Sequence, residues 1–334
     1  MLFRSEDESL DYYPLPLTRA ALRPGAVFAD PYGHTFTLVR WVPQSGRKPG
    51  LLLAVDAQPD GTVQIKRFWK GNFLFTTTGV IGEPGFKAFR PIRVEGGKPR
   101  LLSNREIAAA PGYGAHSLEQ KGMSSEHFYD TMERLINPEG LDPEAALLEL
   151  IRALQEQLIV RVESVANGEK WMQAHPGAVI PMPGSAAGVF LAGGLWEDYS
   201  TPNRDLRLLI AIDAVLDFPA RIVRAPGNYK ISRWKNPQKI RAELEELTRE
   251  KSGEMTITYT RGDGSKQQLT LAEILRRAQA FEMGYNPNDG VEIRWGAPAG
   301  SEEIKSCRRR APAGQLEQMR KLRPWFQKRL HPPT

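Results

Sequence analysis

Two side chains in the first part of the sequence, His34 and Asp56, have the types expected of a general base and its partner. An imidazole exchanges protons near neutral pH, and a neighbouring carboxylate holds the ring and stabilises its charged form. In thiol hydrolases such a pair takes the proton of the attacking cysteine. We therefore predict that His34 and Asp56 are the catalytic residues of any hydrolytic activity in this chain.

Predicted β-strands would position this pair. His34 follows the turn at Gly33 and opens one β-rich run, and Asp56 closes the next. The β-rich runs are 27–28, 35–42, 51–55, 63–68 and 73–77, with a tight-turn signal at Pro59-Asp60-Gly61. This pattern predicts a small antiparallel β-unit over residues 1–95. His34 and Asp56 should then lie side by side on paired strands and face an open groove.

The segment from Gly25 to Asp56 resembles the histidine half of papain-like, NlpC-type cell-wall peptidases. In that family a cysteine at a helix N-terminus comes first, then a histidine at the start of a strand, then a polar residue on the next strand. The resemblance implies that His34 is the base, that Asp56 orients it, and that the reaction is amide hydrolysis in a bacterial cell envelope. The cysteine position has no match, because none of the 33 residues before His34 is a cysteine.

The source of the thiol is therefore open. Cys307 is the only cysteine, and its basic neighbours predict a lowered thiol pKa, although it follows the histidine in the chain. Alternatively, an N-terminal partner segment supplies the cysteine, and this chain is the C-terminal part of a longer exported or periplasmic protein in which Met1 is internal. The acidic start of the sequence predicts no signal peptide of its own. A third possibility is an inactive chain in which His34 only caps a turn.

A second group of candidate residues lies before a predicted helix that starts at Thr201-Pro202. Its members are Trp196, Glu197, Asp198, Tyr199 and Arg204. Aromatic rings can stack on a sugar while carboxylates bond its hydroxyls, so we predict ligand binding here, to a peptide or a cell-wall polymer. The alternative is an ordinary helix cap in which Asp205 pairs with Arg204 or with helix amides.

Metal, cofactor, nucleic-acid and membrane functions are not expected. The five histidines lack the spacing of a zinc site, and the oxygen-bearing residues in 286–292 do not match a calcium loop. The net charge of +6 is mild, and the basic residues near the C-terminus are better explained as a solvated helix face. No apolar run approaches the ~20 residues of a membrane-spanning helix.

The sequence as a whole predicts an α+β protein. Residues 96–122, rich in Gly, Pro, Ala and Ser, are predicted to be a loop or linker, and residues 123–334 a mainly helical domain with one β-hairpin at 255–269. Two functions remain open. One is a cell-envelope protein related to papain-like amide hydrolases. The other is a non-enzymatic binding or scaffolding protein that uses the loop from Trp196 to Arg204 and the basic C-terminal helix.

Overall fold

The computed structural model describes residues 7–57, 63–76, 83–110, 112–113, 115–191, 193–232 and 235–332. The turn predicted at Pro59-Asp60-Gly61 lies outside these residues. The chain has the predicted α+β fold and divides into two compact units. The first unit comprises Met1–Ala145 and Ala225–Ser232, and the second comprises Ala146–Arg224 and Arg233–Thr334.

The first unit contains most of the strands. They are β1 (Tyr12–Pro14), β2 (Val27–Ala29), β3 (Thr35–Val42), β4 (Leu51–Ala57), β5 (Val63–Arg67), β6 (Gly85–Phe89), β7 (Ile92–Glu95) and β8 (Lys98–Leu101). Its helices are α1 (Asn104–Ala109) and α2 (Ser125–Ile136), with a 3₁₀ turn at Pro226–Asn228. The strands predicted over 27–28, 35–42, 51–55 and 63–68 are confirmed as β2 to β5.

The strands of the first unit form a sheet with the order β1-β6-β2-β3-β4-β5, in which neighbouring strands are antiparallel. β3 therefore lies inside the sheet. The predicted strand over 73–77 is wrong for its described residues 73–76, which form a loop. Phe73 and Phe75 lie in that loop and are buried, so their apolar character reflects core packing instead of strand pairing.

Helix α2 belongs to the β-rich unit, although the sequence assigned residues 123–145 to a helical domain. Its buried residues Phe128, Met132 and Ile136 recur every four positions, which places them on one face of the helix. Phe128 packs against the aromatic core of the sheet, with ring centroids 3.9 Å from Phe75. Burial of this apolar stripe joins α2 to the sheet, so the division between the units falls after Ala145 instead of within 96–122.

The predicted linker 96–122 is instead part of the first unit. It contains β8, α1 and the buried side chain of Gln120. Nε2 of Gln120 donates to the carbonyls of Leu15 and Phe86 at 2.7 and 2.9 Å, and Oε1 accepts from the N–H of Phe86 at 2.8 Å. A polar side chain thus ties this segment to β6, which an apolar periodicity could not reveal.

The second unit is mainly helical, as predicted. Its elements after the long helix α3 (Pro143–Ala174) are α4 (Ala186–Leu191), α5 (Leu195–Tyr199), α6 (Pro202–Arg224), α7 (Pro237–Glu254), β9 (Thr256–Thr260), β10 (Lys266–Thr270), α8 (Leu271–Arg276), α9 (Ala278–Phe281), α10 (Val291–Arg294) and α11 (Ala313–Lys328). The predicted hairpin is confirmed as the antiparallel pair β9–β10. Gly168, Gly253 and Pro324 all lie within helices.

None of the helices in the described parts of the chain combines the length and the apolar character that a membrane span requires.

Candidate active site

His34 is held by a turn that precedes β3. The buried side chain of Asp30 accepts the backbone N–H groups of Tyr32 and His34 through Oδ1, both at 2.8 Å. The N–H of Asp30 donates in return to the carbonyl of His34 at 2.8 Å. Gly33 has a φ of +96°, a region that favours glycine. The backbone of the predicted base is therefore fixed at both ends of a short turn.

His34 and Asp56 lie side by side, as the strand pattern predicts. Nε2 of the imidazole lies 2.7 Å from Oδ1 of Asp56. The side chain of Asp56 is 1% exposed, whereas that of His34 is 38% exposed. A buried carboxylate thus contacts one edge of a ring that remains open to solvent. The contact is an ion pair by distance, and it does not have the alignment of a hydrogen bond at Oδ1 of Asp56. The contact is observed, and the catalytic role of the two residues remains a prediction.

The pleat of the sheet explains why the two side chains meet. In the pairing of β3 with β4, Thr37 lies opposite Val55. Asp56 is the next residue of β4, so its position relative to β3 is set by this pair. Because alternate residues of a strand share a face, His34 lies on the same face as the buried Phe36. The ring centroids of His34 and Phe36 are 5.0 Å apart. An apolar ring therefore packs beside the imidazole, while the carboxylate contacts it from the neighbouring strand.

A lysine on the edge strand adds a positive charge behind the carboxylate. Nζ of Lys66 lies 3.9 Å from Oδ2 of Asp56, the carboxylate oxygen other than the one nearest His34. Nζ also donates to Oε1 of Gln64 at 2.8 Å, and Gln64 lies directly opposite Asp56 in the β4–β5 register. An ammonium group and a carboxylate attract each other at this distance. Lys66 could not be selected from its sequence position, because its distance to Asp56 depends on the strand register.

The contact with Asp56 distinguishes the two ring nitrogens, because Nε2 is the one that lies beside the carboxylate. When Nε2 carries a proton toward the carboxylate, Nδ1 has the free electron pair and can accept a proton from a nucleophile. This assignment of the tautomer rests on the carboxylate contact. A general base and its orienting group are two of the three parts of a thiol hydrolase, and His34 and Asp56 remain the residues predicted for these roles.

Cys307 does not have the reactive character that its basic neighbours predict. It lies in the second unit, and its Sγ donates to the carbonyl of Arg309 at 3.5 Å. Burial raises the pKa of the Cys307 thiol, and the charges of Glu292 and Asp289 add to the increase. The expectation of a lowered pKa is therefore wrong, because burial and the nearby carboxylates raise the pKa of this thiol.

The ligand-binding site predicted around Trp196 differs from expectation, because the Trp196 side chain is buried. This side chain is 3% exposed, and its Nε1 donates to the carbonyl of Val189 at 3.0 Å, so its ring has no face available for a sugar. Tyr199 is half-buried and contacts Trp171, with ring centroids 5.5 Å apart. Glu197, Asp198 and Arg204 are exposed and remain predicted ligand-binding residues.

The helix cap proposed as an alternative for that segment also differs from expectation. Asp205 is completely buried. Its carboxylate accepts hydrogen bonds from Nε and Nη2 of Arg161 at 2.7 and 3.0 Å, instead of pairing with Arg204. The guanidinium of Arg161 lies over the rings of Phe281 and Trp295. This pair is part of the packed interior of the second unit, so Asp205 is a structural residue.

The oxygen-bearing residues considered for calcium are used within the protein. The Asn286 side chain accepts from the N–H of Asn288 at 2.9 Å, and Glu292 accepts from the N–H of Gly262 at 2.7 Å. Among the described residues there is no group of three or more His, Cys, Asp or Glu side chains placed to hold a metal ion.

Comparison with known proteins gives no match to a protein-family model, to a curated protein or to a solved structure.

Proposed function

We propose that this chain carries the base half of a papain-like amide hydrolase of the cell envelope, with His34 as base and Asp56 as orienting residue. The observation that supports the proposal most directly is the 2.7 Å contact between an exposed imidazole and a fully buried carboxylate. A capping histidine needs no such partner, because the turn is already closed by Asp30.

The proposed reaction follows from the roles of the two ring nitrogens. Nδ1 of His34 takes the proton of a thiol, and the resulting thiolate attacks the carbonyl carbon of the substrate. The imidazolium formed in this step is stabilised by Asp56 and then returns its proton to the leaving amine. Water hydrolyses the acyl-thiol intermediate and restores the free thiol. The chain by itself contributes the proton transfers.

We further propose that the thiol comes from a partner segment and that the chain alone has little or no activity. The raised pKa of Cys307 supports this division, because a thiol with a raised pKa forms little of the nucleophilic thiolate at neutral pH. The partner segment would place its cysteine within hydrogen-bonding reach of Nδ1 of His34.

An external thiol provides a direct test of the base. The purified chain is incubated with p-nitrophenyl acetate and 2-mercaptoethanol, and p-nitrophenol release is compared for the unchanged chain, His34→Ala and Asp56→Asn. We expect the unchanged chain to accelerate the thiol-dependent reaction by about 10²-fold, the lower end of general-base effects. Both variants should lose most of that acceleration.

A matched control separates the proposed base from other histidines. His127 is an exposed residue of α2 in the same unit, so His127→Ala removes an imidazole without touching the pair. Its rate should equal that of the unchanged chain. Equal rates for His34→Ala and the unchanged chain would contradict the proposal, provided that circular dichroism shows the variant to be folded.

A non-enzymatic binding function is the second candidate. It is favoured by the exposed carboxylates of Glu197 and Asp198 next to the aromatic pair Tyr199–Trp171. Co-sedimentation with insoluble cell-wall polymer tests this function. Tyr199→Ala should reduce the bound fraction several-fold, whereas His34→Ala should leave it unchanged.

A further inference from the structure

The second unit contains a cavity that the proposed hydrolase chemistry does not use. Its volume is about 430 Å³, which lies within the range of small-molecule sites. Large apolar side chains form much of its wall, namely Met283, Ile293, Ile304 and Leu316. Small residues, including Ala280, Gly296 and Ala297, leave the space between them. The interior is therefore suited to a hydrocarbon group.

Two charged residues lie on the wall of this apolar cavity. The side chain of Asp289 is 2% exposed and is fixed by the N–H of Ala311, which donates to Oδ1 at 2.9 Å. The guanidinium of Arg310 is 60% exposed, and its Nη1 lies 3.4 Å from the same oxygen. Asp289 is thus held in place, whereas Arg310 is tethered by one long contact and can turn toward a ligand.

The local charge favours an anionic head group. Arg308, Arg309 and Arg310 are consecutive, and Arg309 is paired with Glu169 through Nη1 to Oε1 at 3.0 Å. The five N–H donors of an arginine match a carboxylate in two parallel hydrogen bonds. Arg310 therefore has donors available for an anion at the cavity opening.

We propose that this cavity binds a small amphipathic carboxylate, whose alkyl chain occupies the apolar interior and whose head group pairs with Arg310. The contact with Asp289 keeps the Arg310 guanidinium at the cavity wall, where it can meet the ligand head group.

A series of ligands with one alkyl chain and different head groups tests the proposal. Octanoate, octan-1-ol and octylamine are titrated separately into the full chain by isothermal titration calorimetry. Octanoate should bind saturably with one site and at least about 10-fold more tightly than either analogue, the discrimination expected of a charge-assisted contact. Equal or tighter binding of octylamine, or no saturable binding of octanoate, would overturn the proposal.

Variants of the chain identify the cavity as the site. Arg310→Met should reduce octanoate affinity at least about 10-fold, and the neighbouring exposed Arg308→Met, which removes the same charge, should leave it unchanged. Ala297→Leu fills part of the cavity and should abolish binding, with Leu316→Trp as a second filled variant if the first does not fold. Unchanged affinity in Arg310→Met, or in a folded filled variant, would show that octanoate binds elsewhere and would reject the site.

Discussion

The buried carboxylate of Asp30 accepts the backbone N–H of His34 at 2.8 Å, four residues along the chain. The same oxygen accepts the N–H of Tyr32, so one side chain closes the turn that delivers the imidazole to the sheet. Asp56 then contacts the ring itself from the neighbouring strand. The position of His34 therefore depends on two carboxylates with different tasks, one for the backbone and one for the side chain.

Removal of Asp30 should weaken both the fold and the proposed base. Asp30→Ala leaves two N–H groups without their acceptor, and we expect a loss of about 1–3 kcal/mol in the free energy of unfolding. Asp30→Asn keeps an acceptor oxygen and should lose less. Urea unfolding measures the stability, and the thiol-dependent ester assay should show a reduced rate for Asp30→Ala. An unchanged stability and rate in the alanine variant would show that the turn is set by Gly33 alone.

Gln120 should be one of the most sensitive polar residues of the first unit. Gln120→Ala removes the donor to two carbonyls and the acceptor for the N–H of Phe86. Unsatisfied buried groups cost about 1–3 kcal/mol each, so we expect a loss of about 3 kcal/mol or more by urea unfolding. Gln120→Glu keeps the acceptor and loses the donors, and should also destabilise. A loss below about 0.5 kcal/mol, typical of surface changes, would mean that 96–122 is the flexible linker that its composition suggests.

Strand alternation and turn residues made the sheet around the candidate site predictable from the sequence. The register of β3 and β4 follows from apolar alternation and turn position, and it brings His34 to Asp56. The role of Gln120 could not be predicted, because a buried amide has no periodic signal and its partners are distant in the chain. The contact of Lys66 with Asp56 could not be predicted either, because it depends on how β5 pairs with β4.

Local composition was misleading where burial decides the chemistry. Trp196 stands next to two acidic residues and suggested a ligand platform, but its ring is used in packing. Cys307 stands next to two arginines and suggested a reactive thiol, but desolvation raises its pKa. In both cases the sequence shows only the residues adjacent along the chain. The residues adjacent in space determine whether the Trp196 ring is exposed and how easily the Cys307 thiol ionises.

Cys307 should react slowly with alkylating agents. Because its pKa is raised, the thiolate fraction near pH 7.5 is below that of an ordinary cysteine, and the thiolate is the reactive form. We expect the rate with iodoacetamide at pH 7.5 to be at least about 10-fold below that of glutathione and to rise above pH 9. Mass spectrometry of the alkylated peptide measures the rate, and urea-unfolded protein is the control. A rate plateau below pH 8 would restore Cys307 as a candidate nucleophile.

Lys87 should make the stability of the first unit depend on pH in the alkaline range. It is 2% exposed on β6, and burial lowers its pKa from 10.5 to about 8, although Glu83 partly opposes the shift. The unfolded chain therefore binds more protons than the folded chain between pH 8 and 10.5, and stability rises with pH in this window. At pH 7 the buried charge costs about 3 kcal/mol, since one pKa unit equals about 1.4 kcal/mol.

A neutral side chain at this position should remove that dependence. Between pH 7 and pH 10.5 the free energy of unfolding of the unchanged chain should rise by about 3 kcal/mol through Lys87. In Lys87→Met this contribution is absent, so the stability of the variant relative to the unchanged chain should fall by the same amount over that range. Urea unfolding at half-unit pH steps measures the two curves. Lys98→Met, at an exposed position of β8, controls for the loss of a lysine. Parallel curves for Lys87→Met and the unchanged chain would mean that the Lys87 ammonium keeps its solution pKa, and that its burial is compensated by partners within the first unit.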